Sequence, residues 1–310
     1  MPVVPLRLES PAPPAARGGV VAIGNFDGVH RGHAALIAAA RQLGCGPVVP
    51  VTFDPHPLVL LAREKYQPPL TTVPERARLL HTAGADHVVV LQTSTDLLAL
   101  SADAFFGSVI RGALAARGMI EGYNFRFGKD RTGSNDTLRT LCAAADIEFR
   151  EIPAFTRDGR PVSSSRVRDA LGRGDVRDAA DLLARPYRLS GVVGTGARRG
   201  RTIGFPTANL ERIETLVPAA GVYAVSIPTD RGVFAGAAHI GANATFGEYA
   251  RTVEVHLLDF GGDLYGQTLA VDFLARLRGT RKFEGVDALV EQMRQDVAEA
   301  RRIAADRRNP

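Results

Sequence analysis

The chain has few of the residues that mark secreted or thiolate-metal proteins. Among its 310 residues are only two cysteines, Cys45 and Cys142, too few and too far apart in sequence for a disulfide framework or a thiolate metal cage. This scarcity favours a reducing, cytoplasmic setting. No uncharged apolar run is long enough to cross a bilayer, and the N-terminal stretch MPVVPLRLESPAPPAARGG lacks the apolar core of a signal peptide. We therefore predict a protein that is neither secreted nor membrane-embedded.

Aromatic residues are also scarce, and charge is nearly balanced. Aromatics make up 6% of the chain, and 38 basic against 33 acidic side chains give a formal net charge of +5. A mildly cationic surface suits small anionic substrates as well as nucleic acid. Nucleic-acid binding would need a basic stripe interleaved with aromatics. We expect small-molecule substrates and no nucleic-acid partner, and the sequence leaves the oligomeric state open.

The two halves of the chain differ in pattern. In the first half, strand-like runs such as GVVAIG, GPVVPVTF and DHVVVLQ alternate with helix-like segments such as HAALIAAARQLG and PERARLLHTAG. This rhythm predicts a parallel sheet with helices on both faces. The second half has short β-rich pieces, typical of an antiparallel barrel or sandwich, and a charged helix from about Asp287. We predict one domain over residues 1–184 and another over 185–310, with the change near Pro186.

The stretch GNFDGVHRGH, from Gly24 to His33, follows the first predicted strand and leads into the first predicted helix. Parallel α/β sheets bind ligands at such places. Gly28 and Gly32 let the backbone approach a ligand closely, and His30 and His33 flank the N–H groups of the helix start. The pattern predicts a phosphate site. A zinc site is disfavoured because no carboxylate or cysteine follows with ligand spacing; a helix cap beside a solvent-exposed histidine is the simpler alternative.

The histidine motif resembles that of the H-x-G-H nucleotidyltransferases, in which the histidines stabilise the α-phosphate while pyrophosphate leaves. That resemblance implies a second element for the leaving phosphates. The segment VSSSRVRDAL offers Ser163, Ser164, Ser165, Arg166 and Arg168 at the start of another predicted helix. Hydroxyls, guanidinium groups and a helix N terminus together suit polyphosphate binding, whereas a serine cluster alone is more often a helix cap.

Aromatic and polar side chains follow two further predicted strands. TFDPHP carries Phe53 and His56, and GYNFRFGKDRTG carries Asn124, Phe125 and Phe127. Both stretches come to the same carboxyl edge of the predicted sheet, where the phenylalanines suit packing on a planar ring and Asn124 suits a hydrogen bond to it. Core phenylalanines and a loop asparagine are the alternative at each position.

The second half carries its own ligand-binding pattern, GTGARRGRTIGFPTANL. Its glycine- and arginine-rich turn offers backbone N–H groups to phosphates, and Thr207 and Asn209 offer a hydroxyl and an amide to Mg²⁺. It is not a Walker loop, because the G-K-[ST] ending is missing. Further on, VEVHLLDF places Glu254 on a strand whose alternation points it toward a barrel mouth, although an exposed strand glutamate is usually only solvated.

Taken together, the two halves resemble the bacterial bifunctional riboflavin kinase/FMN adenylyltransferases, the FAD synthetases. The resemblance runs from about Gly19 to Arg301 and includes GFPTANL, GVYAV, ANATFG and VEVHLLDFGGDLYG in one order. It implies a Rossmann-like nucleotidyltransferase domain followed by a six-stranded antiparallel β-barrel riboflavin kinase domain with a C-terminal helix. It also implies two reactions: ATP phosphorylates riboflavin to FMN, and a second ATP adenylylates FMN to FAD, releasing pyrophosphate.

The resemblance also implies roles for individual residues. His30 and His33 would meet the ATP phosphates in adenylyl transfer, and Glu254 would take the proton from the ribityl hydroxyl. Thr207 and Asn209 would hold Mg²⁺. The implied ATP-binding residues are Gly24, Asn25, Phe26, Asp27, Gly32, Ser163, Ser164, Ser165, Arg168, Gly196, Arg201, Gly204 and Pro206, and the implied flavin-binding residues are Phe53, His56, Asn124, Phe125 and Phe127.

Two positions depart from the family pattern. Ala244 stands where proline is common, beside the flavin site of the kinase, and Glu121 precedes GYNF where an aliphatic residue or glycine is commoner. Both bear on flavin affinity and selectivity. Two other functions are compatible with parts of the sequence: a basic, non-catalytic nucleic-acid-binding or flavin-carrying protein, and an adenylyltransferase for another phosphorylated cofactor precursor. The kinase-like second half argues against the latter.

Overall fold

The computed structural model describes residues 3–8, 10–195, 204–241 and 252–306. The chain divides into two units, one comprising Met1–Gln67 and Thr71–Ser163 and the other Pro68–Leu70 and Ser164–Pro310. The domain boundary predicted after residue 184 comes later in the chain than this division, which groups two further helices with the second unit. The boundary stays a prediction.

Parallel strands form the centre of the first unit. They are β1 (Val3–Leu6), β2 (Val20–Ile23), β3 (Val48–Asp54), β4 (Val88–Gln92), β5 (Gly118–Gly122) and β6 (Glu148–Ile152). The α-helices are α1 (Arg31–Leu43), α2 (Leu58–Leu61), α3 (Val73–Thr82), α4 (Thr95–Ala99), α5 (Ala102–Phe105), which runs into π-helical turns over Phe106–Ala113, and α6 (Asn135–Ala144). Short 3₁₀ turns cover Pro14–Ala16, Arg63–Lys65 and Lys129–Arg131, and a small hairpin pairs β7 (Thr156–Arg157) with β8 (Arg160–Pro161).

The strand order of this sheet is β1-β4-β3-β2-β5-β6, and every pairing is parallel. The chain adds β3 and β4 on one side of β2 and then β5 and β6 on the other. The order therefore reverses at β2, which makes its carboxyl end the topological switch point of the sheet.

Alternation along the strands gives the sheet two apolar faces. Ile37 of α1 and Leu80 of α3 pack on one face with Val20. Phe106 and Leu138 pack on the other face with Val21. These two layers explain why the β-strands read as continuous apolar runs, since both faces are buried.

The second unit is a closed antiparallel barrel with helices. Its helices are α7 (Ser164–Arg173), α8 (Val176–Leu183) and α9 (Val286–Asp306), and its strands are β9 (Tyr187–Gly194), β10 (Ala208–Glu211), β11 (Gly221–Thr229), β12 (Gly232–Gly241), β13 (Thr252–Leu257) and β14 (Thr268–Arg278). Around the barrel the strand order is β10-β13-β12-β11-β14-β9.

Helix α9 covers part of the outer face of the barrel. Ala300 and Ala304 of the helix belong to one buried cluster with Ala224 of β11, and Ala237 of β12 packs against it. Asp296 of α9 is buried and accepts two-pronged hydrogen bonds from Arg278 of β14, at 2.8–3.1 Å. Small side chains let the helix approach the strands closely, and the ion pair fixes its position along them.

The predicted fold class is confirmed: a parallel α/β unit, a closed six-stranded antiparallel barrel and a C-terminal helix. The first helix ends at Gly44, whose left-handed backbone, with φ of 69°, caps it. The sequence interpretation missed β1, which holds Pro5 and pairs with β4 at the edge of the sheet. A proline is tolerated on an edge strand, so the proline-rich start of the chain concealed this strand.

Candidate functional site

The turn between β2 and α1 has a left-handed backbone at three positions. The φ angles are 47° at Phe26, 80° at Gly28 and 41° at Val29. Valine is rare in this region because of its branched Cβ. Phe26 and Val29 are buried, at 1% and 5% exposure, so core packing holds a turn that the backbone alone disfavours. Strain of this kind concentrates at ligand-binding sites.

His30 and His33 form a compact pair at the start of α1. Their rings are stacked with centroids 3.6 Å apart, and the edge of Phe26 meets His33 at 5.1 Å. His30 caps the helix, since its Nδ1 accepts a hydrogen bond from the His33 backbone N–H at 3.3 Å. Neutral His30 therefore carries its proton on Nε2, where it is a donor. The cap predicted as the simpler alternative exists, but His33 is stacked and partly buried rather than solvent-exposed.

Gly32 is required beside these rings. A Cβ atom at this position would lie 3.1–3.2 Å from the ring atoms of His30 and 3.7 Å from the Val162 carbonyl oxygen. The backbone just before Ser163 thus lies against the start of α1. Within the first unit, the structure brings the segment that leads into the serine cluster to the histidine motif.

A buried polar network lies beneath the turn. Asp27 Oδ1 accepts a hydrogen bond from the Thr71 backbone N–H at 3.2 Å, and the Arg76 guanidinium lies 3.7 Å from the same oxygen. Arg76 also donates to the Thr52 hydroxyl at 2.9 Å, and that hydroxyl donates to the Asn25 carbonyl at 3.0 Å. Side chains of β3 and α3 therefore hold the backbone of the turn.

The sequence interpretation missed this network. Asp27 was predicted only as part of an ATP-binding loop, and Thr52, Thr71 and Arg76 were assigned no role. Arg76 is 5% exposed, although arginine is rarely buried without partners. The available signal was its position on the apolar side of the helix PERARLLHTAG.

Glu121 is a second buried acid at the switch point. It is 2% exposed, and its Oε1 accepts a hydrogen bond of 2.7 Å from the Ile23 backbone N–H. Burial raises the pKa of this carboxyl well above its usual value, and hydrogen bonds from the Ile23 and Gly122 backbone oppose that rise. Glu121, the residue that departs from the family pattern, thus joins the ends of β5 and β2.

The three phenylalanines among the predicted flavin residues lie on one face of the sheet. Phe53 and Phe125 are partly buried and pack against the same apolar cluster, and Phe127 belongs to that cluster with 6% exposure. The rings of Phe125 and Phe127 stack at 5.6 Å. Asn124 is exposed, and His56 lies in the segment after β3, where its ring approaches Tyr66 at 5.8 Å.

The serine cluster is divided between the two units. Ser163 closes the first unit, whereas Ser164, Ser165 and Arg168 lie on α7 of the second. Arg168 Nη1 donates to the Pro68 carbonyl at 2.6 Å. This hydrogen bond joins α7 to the short segment 68–70, which is also assigned to the second unit.

In the barrel, predicted site residues form one cross-strand row. Asn209 of β10 stands opposite Glu254 of β13, which stands opposite His239 of β12. Directly opposed residues share a face of a sheet. Ala237, two residues before His239 on β12, packs toward α9. His239 lies on the same face of the strand as Ala237, because side chains two residues apart point the same way. Glu254 therefore lies on the outer face of the barrel, and the expectation that it points into the barrel mouth is wrong.

His239 is a titratable neighbour that the sequence interpretation did not select. Burial lowers its pKa, the charge of Glu254 opposes that effect, and Arg278 and Asp296 act in opposite directions. Near Glu254, the Thr252 hydroxyl lies 3.3 Å from the carboxylate and donates to the Gly241 carbonyl. The row thus combines amide, carboxylate, imidazole and hydroxyl groups on one surface.

Thr207 lies directly before β10. The carbonyl oxygen of Pro206, one residue earlier, lies 2.7 Å from Nδ1 of the His256 ring. Gly204, two residues before Pro206, has a left-handed backbone with φ of 85°. The predicted ATP-binding residues Gly196 and Arg201, and the unusual Ala244, lie outside the described residues.

Neither a membrane-spanning helix nor a side-chain metal cluster is found in the part of the chain that is described. None of its helices is long and apolar enough to cross a membrane. None of its groups of three or more His, Cys, Asp or Glu side chains has the geometry of a metal site.

A parallel α/β unit with a histidine turn at its switch point, joined in one chain to a closed antiparallel barrel, defines a nucleotide-handling transferase. Two family models match in this order: FAD synthetase over residues 12–166 and riboflavin kinase over residues 183–304. The chain belongs to the family of bifunctional riboflavin kinase/FMN adenylyltransferases, and it carries both enzymatic parts.

Relatives under that name match along almost the whole chain. The protein of Pseudomonas fluorescens is 38% identical over 302 residues, covering 94% of this chain and 95% of the relative. That of Bacillus subtilis is 35% identical, covering 93% of each. A solved structure from Streptococcus pneumoniae, described as a macrolide-efflux protein, has a TM-score of 0.86 at 33% identity and covers 96% of this chain and 98% of that one. The predicted family is confirmed.

We predict that Arg76→Met destabilises the first unit and impairs FAD formation. The substitution removes the guanidinium that binds Thr52 and faces the buried Asp27 carboxylate. Losing one partner of a buried pair costs about 2–4 kcal/mol, which lowers Tm by about 4–16 °C in a domain of this size. Thermal unfolding and the rate of FAD formation from supplied FMN measure the two effects.

Arg78→Met is the matched control on the same helix. Arg78 is half-exposed and pairs with Glu75 across one helical turn, an interaction usually worth about 0.2–1 kcal/mol. Its variant should keep nearly the parent Tm and FAD-forming rate. Equal effects of the two substitutions would contradict a special role for the buried network.

We further predict that Glu121→Gln stabilises the protein increasingly as pH rises. An unfolded glutamate has a pKa of about 4.3, and burial raises the pKa of Glu121 in the folded protein. The stability that the neutral acid contributes is complete below the unfolded pKa and is lost as pH rises toward the folded pKa. The amide does not titrate. Tm measured from pH 5 to pH 9 should show a widening difference in favour of the variant, and a constant difference would contradict this assignment.

Proposed function

We propose that the turn from Gly24 to His33 carries adenylyl transfer to FMN and that the row around Glu254 carries phosphorylation of riboflavin. The single observation that supports the first assignment best is the stacked histidine pair at the switch point, held by a buried polar network. The second rests on the in-register carboxylate and amide of Glu254 and Asn209. ATP, riboflavin and FMN are the substrates, and FMN and FAD are the products.

In adenylyl transfer, a phosphate oxygen of FMN attacks the α-phosphorus of ATP. The new O–P bond forms as the bond to the β-phosphate oxygen breaks, and pyrophosphate leaves. Negative charge grows on the α-phosphoryl oxygens, where the Nε2–H of His30, the ring of His33 and the N–H groups of the α1 start are the proposed donors. Phosphoryl and nucleotidyl transfer depend mainly on such positioned donors.

The other substrate groups have separate positions in this proposal. Phe53 and Phe125 offer partly buried rings to the isoalloxazine, and Asn124 offers an exposed amide at the same sheet edge. Phe127 supports Phe125 from within the core. Ser163, Ser164, Ser165 and Arg168 are proposed for the pyrophosphate end, supported by the approach of the Val162 backbone to Gly32.

In phosphorylation, Glu254 is the proposed base for the ribityl hydroxyl. It takes the proton as the hydroxyl oxygen attacks the γ-phosphorus, and ADP leaves. Mg²⁺ prefers oxygen ligands, and the Thr207 hydroxyl with the Asn209 amide oxygen fits that preference. When bound, Mg²⁺ would neutralise charge on the ATP phosphates. The scarcity of cysteine supports a cytoplasmic setting for both reactions.

We predict that the parent converts riboflavin to FMN and FAD with ATP and Mg²⁺, and that His33→Ala selectively slows the second step. Removing one donor to a charged transition state usually costs about 10²-fold or more in rate, while phosphorylation does not use this group. Flavin chromatography on one purified sample measures both products. Gln42→Ala, at an exposed position of the same helix, is the control and should match the parent. Equal loss of both activities would point to a structural histidine.

We predict the converse for Glu254→Gln. Loss of a general base lowers the rate by about 10²- to 10⁴-fold, whereas the amide keeps the shape of the side chain. FMN formation should nearly stop, and supplied FMN should become FAD at close to the parent rate. Circular dichroism checks the fold. Full kinase activity would remove Glu254 from the mechanism.

A further inference from the structure

Glu121 lies where the central sheet opens. Strand β2 pairs with β5 through Val20↔Gly118 and Val21↔Met119, and the two strands part beyond these positions. The next β2 amide that faces β5 is that of Ile23, and it donates to the Glu121 carboxyl at 2.7 Å. On the other side of β2, the Gly24 amide still donates to a β3 carbonyl, that of Val51, at 3.0 Å. On the β5 side of β2, the Glu121 side chain thus accepts the hydrogen bond that a backbone carbonyl would accept in a continued ladder. On the β3 side, the backbone hydrogen bond is kept.

This opening lies between the two proposed parts of the adenylyltransferase site. The histidine turn rests on the face of the sheet that holds Phe26 and α1. The proposed flavin rings Phe53 and Phe125 rest on the opposite face. Glu121 lies two residues after Met119 of that second face, and its carboxyl holds the strand that leads into the turn. It is therefore in contact with the backbone that connects the two parts.

We propose that Glu121 is a positioning residue for adenylyl transfer: by holding the Ile23 amide, it fixes the end of β2 from which Asn25 and the histidine turn extend toward the flavin side. The inference rests on the proposed assignment of adenylyl transfer to this turn. What matters is an acceptor oxygen at the right distance from Ile23 rather than a charge. A displacement of about 1 Å at such a site can lower a rate by about 10²-fold.

The surroundings of Glu121 favour an uncharged acceptor. Glu151 stands opposite it on β6 and pairs with Arg139 of α6 at 3.2 Å. Burial, the largest influence on Glu121, raises its pKa. Glutamine supplies an acceptor oxygen of the same reach without a proton to lose, so it should fulfil the same role.

Three substitutions at Glu121 distinguish the effect of side-chain length from the effect of a titratable carboxyl group. Glu121→Leu removes the acceptor at similar volume, Glu121→Asp keeps the acid but is one methylene too short to reach Ile23, and Glu121→Gln keeps the reach. Adenylyl transfer is measured with supplied FMN and varied ATP. We expect kcat to fall about 10-fold or more in the Leu and Asp variants, with KM for ATP changed much less, and to stay near the parent value in the Gln variant.

Two internal controls distinguish the outcomes. Met119→Leu, at a buried position on the same strand and face, should keep parent activity, and riboflavin phosphorylation should be unchanged in every variant. Should the Leu variant not fold, the comparison of Asp with Gln still decides. Parent-like kcat in the Asp variant, loss of activity in the Gln variant, or equal loss of both reactions would overturn the proposal. Absence of FAD formation in the parent would instead refute the proposed function.

Discussion

The main chain at the end of β2 is the constraint on which the first site depends. A central strand that stops at a switch point leaves amide and carbonyl groups without ladder partners, and burial makes such groups costly. Here side chains take the place of the ladder. Glu121 accepts from Ile23 on one side, and Thr52 donates to the Asn25 carbonyl on the other. The backbone that follows can then leave the sheet and form the turn with left-handed φ at Phe26, Gly28 and Val29.

Buried polar groups make this arrangement specific rather than strongly stable. Asp27 and Arg76 are both nearly inaccessible, at 4% and 5% exposure, and replacing a buried ion pair by apolar groups is often neutral or stabilising. Their contribution lies in geometry: Asp27, within the turn, accepts a hydrogen bond from the Thr71 backbone N–H, and Arg76 donates to the Thr52 hydroxyl that holds the Asn25 carbonyl. The network holds the turn in the conformation in which His30 caps α1 and stacks on His33.

Sequence periodicity predicted the alternation of strands and helices in the first unit and the short strands of the second, because strand and helix repeats are local properties, but it missed the proline-containing β1. The histidine turn was found for the same reason, since its glycines, its caps and its position after a strand are contiguous. Arg76 and Glu121 could not be assigned from the sequence, because their partners lie 24 and 98 residues away along the chain. Only the tertiary structure decides whether a charged residue in an apolar segment is exposed to solvent or hydrogen-bonded in the core.

The barrel illustrates a different limit of prediction from sequence: the orientation of a strand's side chains. Alternation along VEVHLLDF correctly separates Glu254 from the buried Val253 and Val255, but a two-residue period does not say which side of a strand faces the barrel interior. That choice depends on what covers the outer face, and α9 follows the last barrel strand in sequence. Once the helix packs on Ala224, register carries the assignment from β11 through β12 to β13. The surface that holds Glu254 and Asn209 is thus defined by the strand pairing of the whole barrel, which explains why a local pattern could identify the residues but not their orientation.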